Sequence, residues 1–416
     1  MEELVSSTHA RAANVARASY GRLLALLVAN TRDISAAEDA LADAFEEALI
    51  RWPVVGIPEN PEAWLLTVAR NRQTDRFRSA AYRTSTPLEG ALDRADSIEE
   101  IDVDVIGDKR LALMFLCAHP AIDVNIRTPL MLQTVLGFRA EEIARAFAIP
   151  TPTMAQRLVR AKHRIRDIGL PFAVPERSEM ASRLPDVLEA VYGTYAIDWH
   201  GVAGSTQRDS LSWEALYLAE TLADLLSSEP ETLGLAALIC FSLARAPGRL
   251  DADGFLIPLL LQDTSRWDET LIARGESYLL RAHHYGKIGR FQLEAAIQSV
   301  HCARRTTDMT DWKTLRKLHE ALIDCAPTLG AVVSLAVVVT EIEGPTAGLA
   351  ILDAMDSSHA QRFQPAWATR AHFLTKVGRA TEAVMAFNKA ISLTTDPVAR
   401  TYLRRKVSEL NEHDGR

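Results

Sequence analysis

AEDALADAFEEALIRW at residues 37–52 and NPEAWLLTVARNRQTDRFR at residues 60–78 decide how the rest of the chain is read. In the first stretch Ala37, Leu41, Ala44, Phe45, Ala48 and Leu49 recur at helical spacing and predict one apolar stripe. Asp39, Asp43, Glu46 and Glu47 fall on another face. Just upstream, Ser35 followed three residues later by Glu38 fits a capping box at the helix start. A solvated amphipathic helix would have the same spacing as an acidic docking face for a basic partner, so this stretch alone leaves both open. In the second stretch Asn60 suits a helix N-cap and Pro61 its first turn. Arg70, Arg72, Arg76, Arg78 and Arg83 then oppose a single Asp75, on a helix that also carries Trp64 and Asn71. Clustered arginines beside an aromatic ring suit a phosphate backbone with unstacked bases. An exposed Arg-rich helix with a core Trp is the plainer alternative.

A second basic helix follows later. Arg139–Phe147 predicts a short helix, Ala148–Pro150 a tight connection, and Thr151-Pro152-Thr153 the start of another helix with Thr151 as its cap. Met154, Leu158, Ala161 and Ile165 form its core stripe. Thr153, Gln156, Arg157, Arg160, Lys162 and Arg164 are its candidate DNA contacts, and no acidic residue occurs from Thr151 to Arg166. A major-groove recognition helix needs such a face: its first residues reach base edges, Gln pairing with adenine and Arg with guanine, while later Lys and Arg hold phosphates. A generic helical hairpin is the alternative.

Outside these stretches the chain of 416 residues is 48% hydrophobic and 24% charged, an ordinary globular mix. Almost every segment has helical periodicity and none alternates as a half-buried strand would, so the expected fold class is all-α. The expected divisions are residues 1–80, an acidic linker over 81–107, a compact helical unit over 108–175, and a helical array over 176–416. From Glu89 to Asp108 the linker carries eight acidic residues against Arg94. The net charge of −8 argues against nucleic-acid binding by the chain as a whole, but the charge is sorted into blocks of one sign. Residues 1–175 hold 21 basic against 23 acidic residues, and the remainder holds 25 against 31. There is no apolar run of membrane-spanning length, and the first residues, MEELVSSTHA, lack the features of a signal peptide, so a cytoplasmic location without membrane contact is expected. Cys117, Cys240, Cys302 and Cys325 form no CxxC pair, and no metal or cofactor is expected. No P-loop, HExxH or nucleophile elbow is present, so an enzyme is not expected.

Taken together, AEDALADAFEEALIRW…NPEAWLLTVARNRQTDRFR resembles region two of sigma-70-family factors of the extracytoplasmic-function class, and EEIARAF…TPTMAQRLVRAKHRIR resembles sigma region four. The resemblance implies core RNA polymerase and promoter DNA as partners. It assigns core-polymerase binding to Glu38, Asp39, Asp43, Phe45 and Glu46. It assigns recognition and melting of the minus-ten element to Trp64, Arg70, Asn71, Arg72, Asp75, Arg76 and Arg78, and minus-thirty-five recognition to the helix from Thr151. Ala42 stands where the family often has Gln, Arg139 where Ser or Thr commonly caps, and Ala148 where many relatives have Gly.

The long C-terminal part is similar to the extension of one sigma subgroup that contains tetratricopeptide-like repeats, through LMFLCAHPAI (113–122), PFAVP (171–175) and QDTSRWDETLIARG (262–275). Trp367, Ala371, Leu374, Gly378, Ala383, Phe387 and Ala390 follow the large and small packing positions of a ~34-residue helix-turn-helix repeat. Leu315, His319, Leu322 and Pro327 fit half of an earlier copy, while Arg370 and Thr395 depart from the pattern. The concave face of such an array suits a protein or peptide regulator. The resemblance implies that the extension is needed for activity. Two other readings stay open at this point: a helix-turn-helix transcriptional regulator with a repeat sensor domain, and a repeat scaffold without DNA activity.

Overall fold

The computed structural model describes residues 19–84, 106–147, 149–200, 207–251, 255–355, 360–394 and 396–414. Among them the fold is all-α, and the sole β feature is one bridge between Leu250 and Leu256. The acidic linker from Glu89 to Asp104 lies outside the described residues. The chain divides into two compact units, the first ending at Ile197 and the second formed mainly by Ser212–Arg416.

The first unit opens with α1 (residues 19–31), α2 (Ile34–Val55) and α3 (Pro61–Thr84). Ser35 does not cap α2. Asp33 does, accepting from Ala36 N at 3.1 Å, which leaves Glu38 free to turn elsewhere. Asn60 caps α3 as expected, accepting from Ala63 N at 3.0 Å. Ile34, Ala37, Leu41, Ala44 and Ala48 of α2 are buried, but the stripe ends early: Phe45 is half-buried and Leu49 exposed. The second half of the unit is α4 (Ile106–Cys117), α5 (Val124–Thr134), α6 (Ala140–Ala146), α7 (Thr151–Ile168) and α8 (Arg177–His200). Gly21 of α1 lies so close to Val135 that a Cβ there would sit 1.7 Å from its carbonyl oxygen. That approach welds the two halves together and admits no side chain.

The expected break after Pro175 falls inside this unit. Leu184, Val187, Leu188, Ala190 and Val191 of α8 are buried. Asp186 accepts from Arg127 of α5 at 2.8 Å, and Arg183 donates to the Phe115 carbonyl of α4 at 3.4 Å. Thus α8 completes the core of α4 and α5.

The second unit runs through α9 (Gln207–Leu225), α10 (Pro230–Arg245), α11 (Glu269–His283), α12 (Arg290–Cys302), α13 (Arg304–Thr307), α14 (Trp312–Cys325), α15 (Leu329–Glu343), α16 (Pro345–Asp353), α17 (Gln364–Lys376), α18 (Ala380–Leu393) and α19 (Pro397–Asp414). Neighbouring helices pack around local cores. Leu293, Ile297, Leu315, Leu322, Ala331 and Val338 join α12, α14 and α15. Ala371, Leu374, Ala383, Phe387 and Ala390 join α17 and α18 in a second core. These are the small and large positions of the expected repeat. α10 is buried on all sides, and Gly275 of α11 meets the Phe241 ring where a Cβ would come within 2.9 Å. The QDTSRWDETLIARG motif is a joint: Asp263 caps the single turn Thr264–Arg266, Asp268 caps α11, and Trp267, 2% exposed, packs against Gly248.

Candidate polymerase and nucleic-acid interface

α2 and α3 form a hairpin whose facing charges are already matched. Arg76 donates to Asp39 at 3.1 Å and to Asp43 at 2.8 Å, and Arg72 lies 3.4 Å from Glu47. These pairs are solvent-facing, so each is worth about 1 kcal/mol or less. Glu46, Asn71 and Asp75 are exposed. Arg70 is half-buried, its Nε has no hydrogen-bond partner, and burial lowers its pKa. Arg78 lies on α3, but its side chain is outside the described residues. Trp64 is half-buried and meets the buried Trp52 edge to face, with centroids 5.5 Å apart. Together with Arg51, Ile57 and Pro58 the two rings line a cavity of about 280 Å³ at the α2–α3 connection. Trp64 therefore has a packing role and an open edge as well.

The helix-turn-helix is formed by α6 and α7. The missing Ser or Thr cap at Arg139 is compensated by Glu142, which accepts from Arg139 N at 2.8 Å. Thr151 does not cap α7. It is the first helical residue, and Pro150 precedes it without a side-chain cap. Gly169 ends α7 at φ 67, the left-handed geometry that favours glycine. Met154, Leu158, Ala161 and Ile165 are buried as the stripe requires. Gln156, Arg157, Arg160 and Arg164 are exposed, and Thr153 is half-buried.

Lys162 is placed differently from the expectation. It is 7% exposed, and its Nζ donates to both carboxylate oxygens of Glu38 at 2.6 Å. Burial pushes the Glu38 carboxyl upward, against the lowering pull of Lys162. Two residues expected to face separate partners thus face each other across α2 and α7, with Arg166 and Asp33 3.9 Å apart beside them. The sequence held the signal. Lys162 stands four residues after Leu158, and Glu38 four after Ile34 and three before Leu41, so both lie within apolar stripes. Sequence reading also missed Gln73, 5% exposed on α3, which follows the buried Leu66 and Ala69 at helical spacing.

No group of three or more His, Cys, Asp or Glu among the described residues is placed to hold a metal ion. Cys117 is buried against Thr134 at 3.5 Å, and burial pushes its thiol up to about 12. No helix among the described residues is long and apolar enough to cross a membrane.

Comparison with known proteins bears on this geometry. Residues 15–83 match the family model described as sigma-70 region 2, and residues 183–283 match a family of unknown function, DUF6596. The chain is 32% identical over 385 residues to uncharacterized protein R00370 of Rhizobium meliloti, covering 91% of each. It is 29% identical over 166 residues to the probable RNA polymerase sigma factor RfaY of Xanthomonas campestris, covering 36% of this chain and 40% of that one. It is 28% identical over 167 residues to the ECF RNA polymerase sigma factor SigL of Mycobacterium tuberculosis, covering 39% of this chain and 93% of that one. The crystal structure of yeast Tom70 aligns over 99% of this chain and 86% of its own, at 11% identity and a TM-score of 0.32. The chain belongs to the family of the Rhizobium meliloti protein over nearly its whole length, and its N-terminal part, with region 2 at residues 15–83, belongs to the sigma-70 family.

Proposed function

We propose that the chain is a sigma factor of the extracytoplasmic-function class that binds core RNA polymerase and directs promoter-specific initiation, with its C-terminal array modulating that activity. In this reading residues 1–80 contact polymerase and the minus-ten element, residues 81–107 link, and the helix-turn-helix within 108–175 reads the minus-thirty-five element. The observation that carries the reading is the sigma-70 region 2 match over residues 15–83, followed by a helix-turn-helix with an exposed row of Gln156, Arg157, Arg160 and Arg164. An ordinary repressor needs only the second of these.

The ion pairs between α2 and α3 give the two binding events a physical link. Asp39 and Asp43 now hold Arg76. A basic polymerase surface that takes over these carboxylates releases Arg76 toward phosphate. The test is co-elution with purified core polymerase. Reversing Asp39, Asp43 and Glu46 to Lys should abolish co-elution while helicity is kept. Unchanged co-elution of a folded triple variant removes the assignment.

The second unit is acidic, which disfavours direct DNA contact and favours a role through polymerase, the first unit, or a protein or peptide regulator. The fragment for testing it ends at Ile197, so that α8 stays on its core. It should bind core polymerase and transcribe poorly. A fragment more active than the full chain would make the array an inhibitor.

A further inference from the structure

The last two turns of α2 carry an apolar surface that neither the core nor the assigned contacts use. Leu49, Ile50 and Val54 are 44%, 64% and 83% exposed, and Val55 beside them is exposed as well. All four lie within the final seven residues of the helix. The apolar periodicity would take Leu49 inward with Leu41, Ala44 and Ala48, yet those three are buried and Leu49 is not.

The position of these side chains on the helix links them to the acids. Asp39, Asp43, Glu46, Ile50 and Val54 follow one another at intervals of four, three, four and four, so they form one row on one side of α2. Leu49 adjoins the row beside Ile50. At 1.5 Å per residue the row is roughly 22 Å long. Its first half is acidic and its second half aliphatic. Asp39 and Glu46 are exposed in the one, as Ile50 and Val54 are in the other. The cation that borders the aliphatic half, Arg51, pairs with Glu47 at 2.5 Å, so it brings no free charge to the patch. Aliphatic side chains scattered singly over a surface need no explanation, but adjoining ones on one side of a helix mark a contact with another molecule.

We propose that Leu49, Ile50 and Val54 are an apolar anchor that extends the polymerase-docking face of α2, so that the surface received there is basic opposite Asp39, Asp43 and Glu46 and apolar opposite Ile50 and Val54. The inference rests on the reading of the acidic row as a polymerase contact, with which the aliphatic half is continuous. The two halves do different work. Matched charges set the register and are screened by salt. Burial of the aliphatic half has no direction and supplies affinity that screening does not remove. Nucleic acid does not fit the same row, because the carboxylates repel phosphate and the aliphatics would stay wet.

The test measures the affinity of the full chain for purified core polymerase over a series of potassium chloride concentrations. Ile50→Gln with Val54→Gln keeps good helix formers in α2. It should weaken binding at least tenfold at every salt concentration and leave the slope of affinity against salt unchanged. Asp39→Asn with Asp43→Asn should instead flatten that slope. Thermal unfolding of the glutamine variant should match that of the unaltered chain, because the replaced side chains are exposed. Val54→Gln alone, at least threefold weaker, decides the matter should the double variant lose its fold. Undiminished affinity of a folded glutamine variant, with the asparagine variant still flattening the slope, overturns the anchor and leaves the polymerase reading standing. Lowered thermal stability with undiminished affinity assigns the aliphatics to a contact within this chain and overturns the anchor too. An unaltered chain that does not bind core polymerase overturns the reading itself, and the anchor with it.

Discussion

α3 and α7 are both Arg-rich helices in one unit, yet they hold their charge in opposite ways. On α3, Arg72 and Arg76 are engaged by acids of α2 at the surface. On α7, Arg157, Arg160 and Arg164 are exposed and form no ion pair among the described residues, while Lys162 is buried on Glu38 and Arg166, at the helix end, pairs with Asp167 and Asp33. A run of basic residues is therefore not one surface. Each charge is assigned by the neighbour on its own side of the helix. α7 presents a ready outward row and uses its inward lysine to join the unit, whereas Arg72 and Arg76 of α3 are held by the carboxylates of α2.

The largest effect is expected from Lys162→Ala. It leaves Glu38 enclosed without its cation and should destabilise the α2–α7 contact by on the order of 3 kcal/mol. Hydrogen exchange of α7 amides in the full chain should accelerate accordingly. The paired change Glu38→Leu with Lys162→Met should restore most of the protection. Uniform weakening of DNA binding with unchanged exchange would return Lys162 to the role of an outward phosphate contact.

Next in size is Arg157→Ala. An exposed Arg reading guanine by two hydrogen bonds is worth roughly 1–3 kcal/mol of base discrimination. Affinity should fall on the matched promoter and little on variants of one base pair. An equal fall on all sequences would make Arg157 a phosphate contact. Arg164→Ala, further along the same row, should weaken all sequences alike and flatten the salt dependence.

Trp64→Ala should lose an aromatic pair worth about 0.5–1.5 kcal/mol of stability through Trp52. It should also impair opening of the promoter more than closed-complex binding, read by permanganate reactivity. Lowered thermal stability with normal reactivity would leave Trp64 a packing residue only. The smallest effect is expected from Arg76→Ala. Its exposed pairs contribute about 1 kcal/mol or less to folding, so the melting curve should hardly move. Open-complex formation should suffer more, because Arg76 is the charge that core binding would release.

Much of this was legible in the sequence where one periodicity governs one face. The buried stripe of α7, the Asn60 cap and the packing positions around Phe387 follow from spacing alone. What spacing hid was partnership. The charge of Glu38 and Lys162 suggests outward roles although both sit in apolar stripes, and the partners are 124 residues apart in the chain. Ser35 lost the capping role because Asp33, two residues earlier, offers a carboxylate at the N-terminus of α2. The boundary near Pro175 was drawn at a proline-flanked loop, yet the apolar face of α8 is buried on α4 and α5.

In the proposed function this chain converts core polymerase into a promoter-specific enzyme. Run-off transcription from a library of genomic fragments, with purified core polymerase and the full chain, tests it most directly. Discrete transcripts are expected only when the chain is added, and they should disappear when Asp39, Asp43 and Glu46 are reversed to Lys. Sequence-specific DNA binding by the chain alone, with no chain-dependent transcript, would contradict it and make the protein a regulator of another kind.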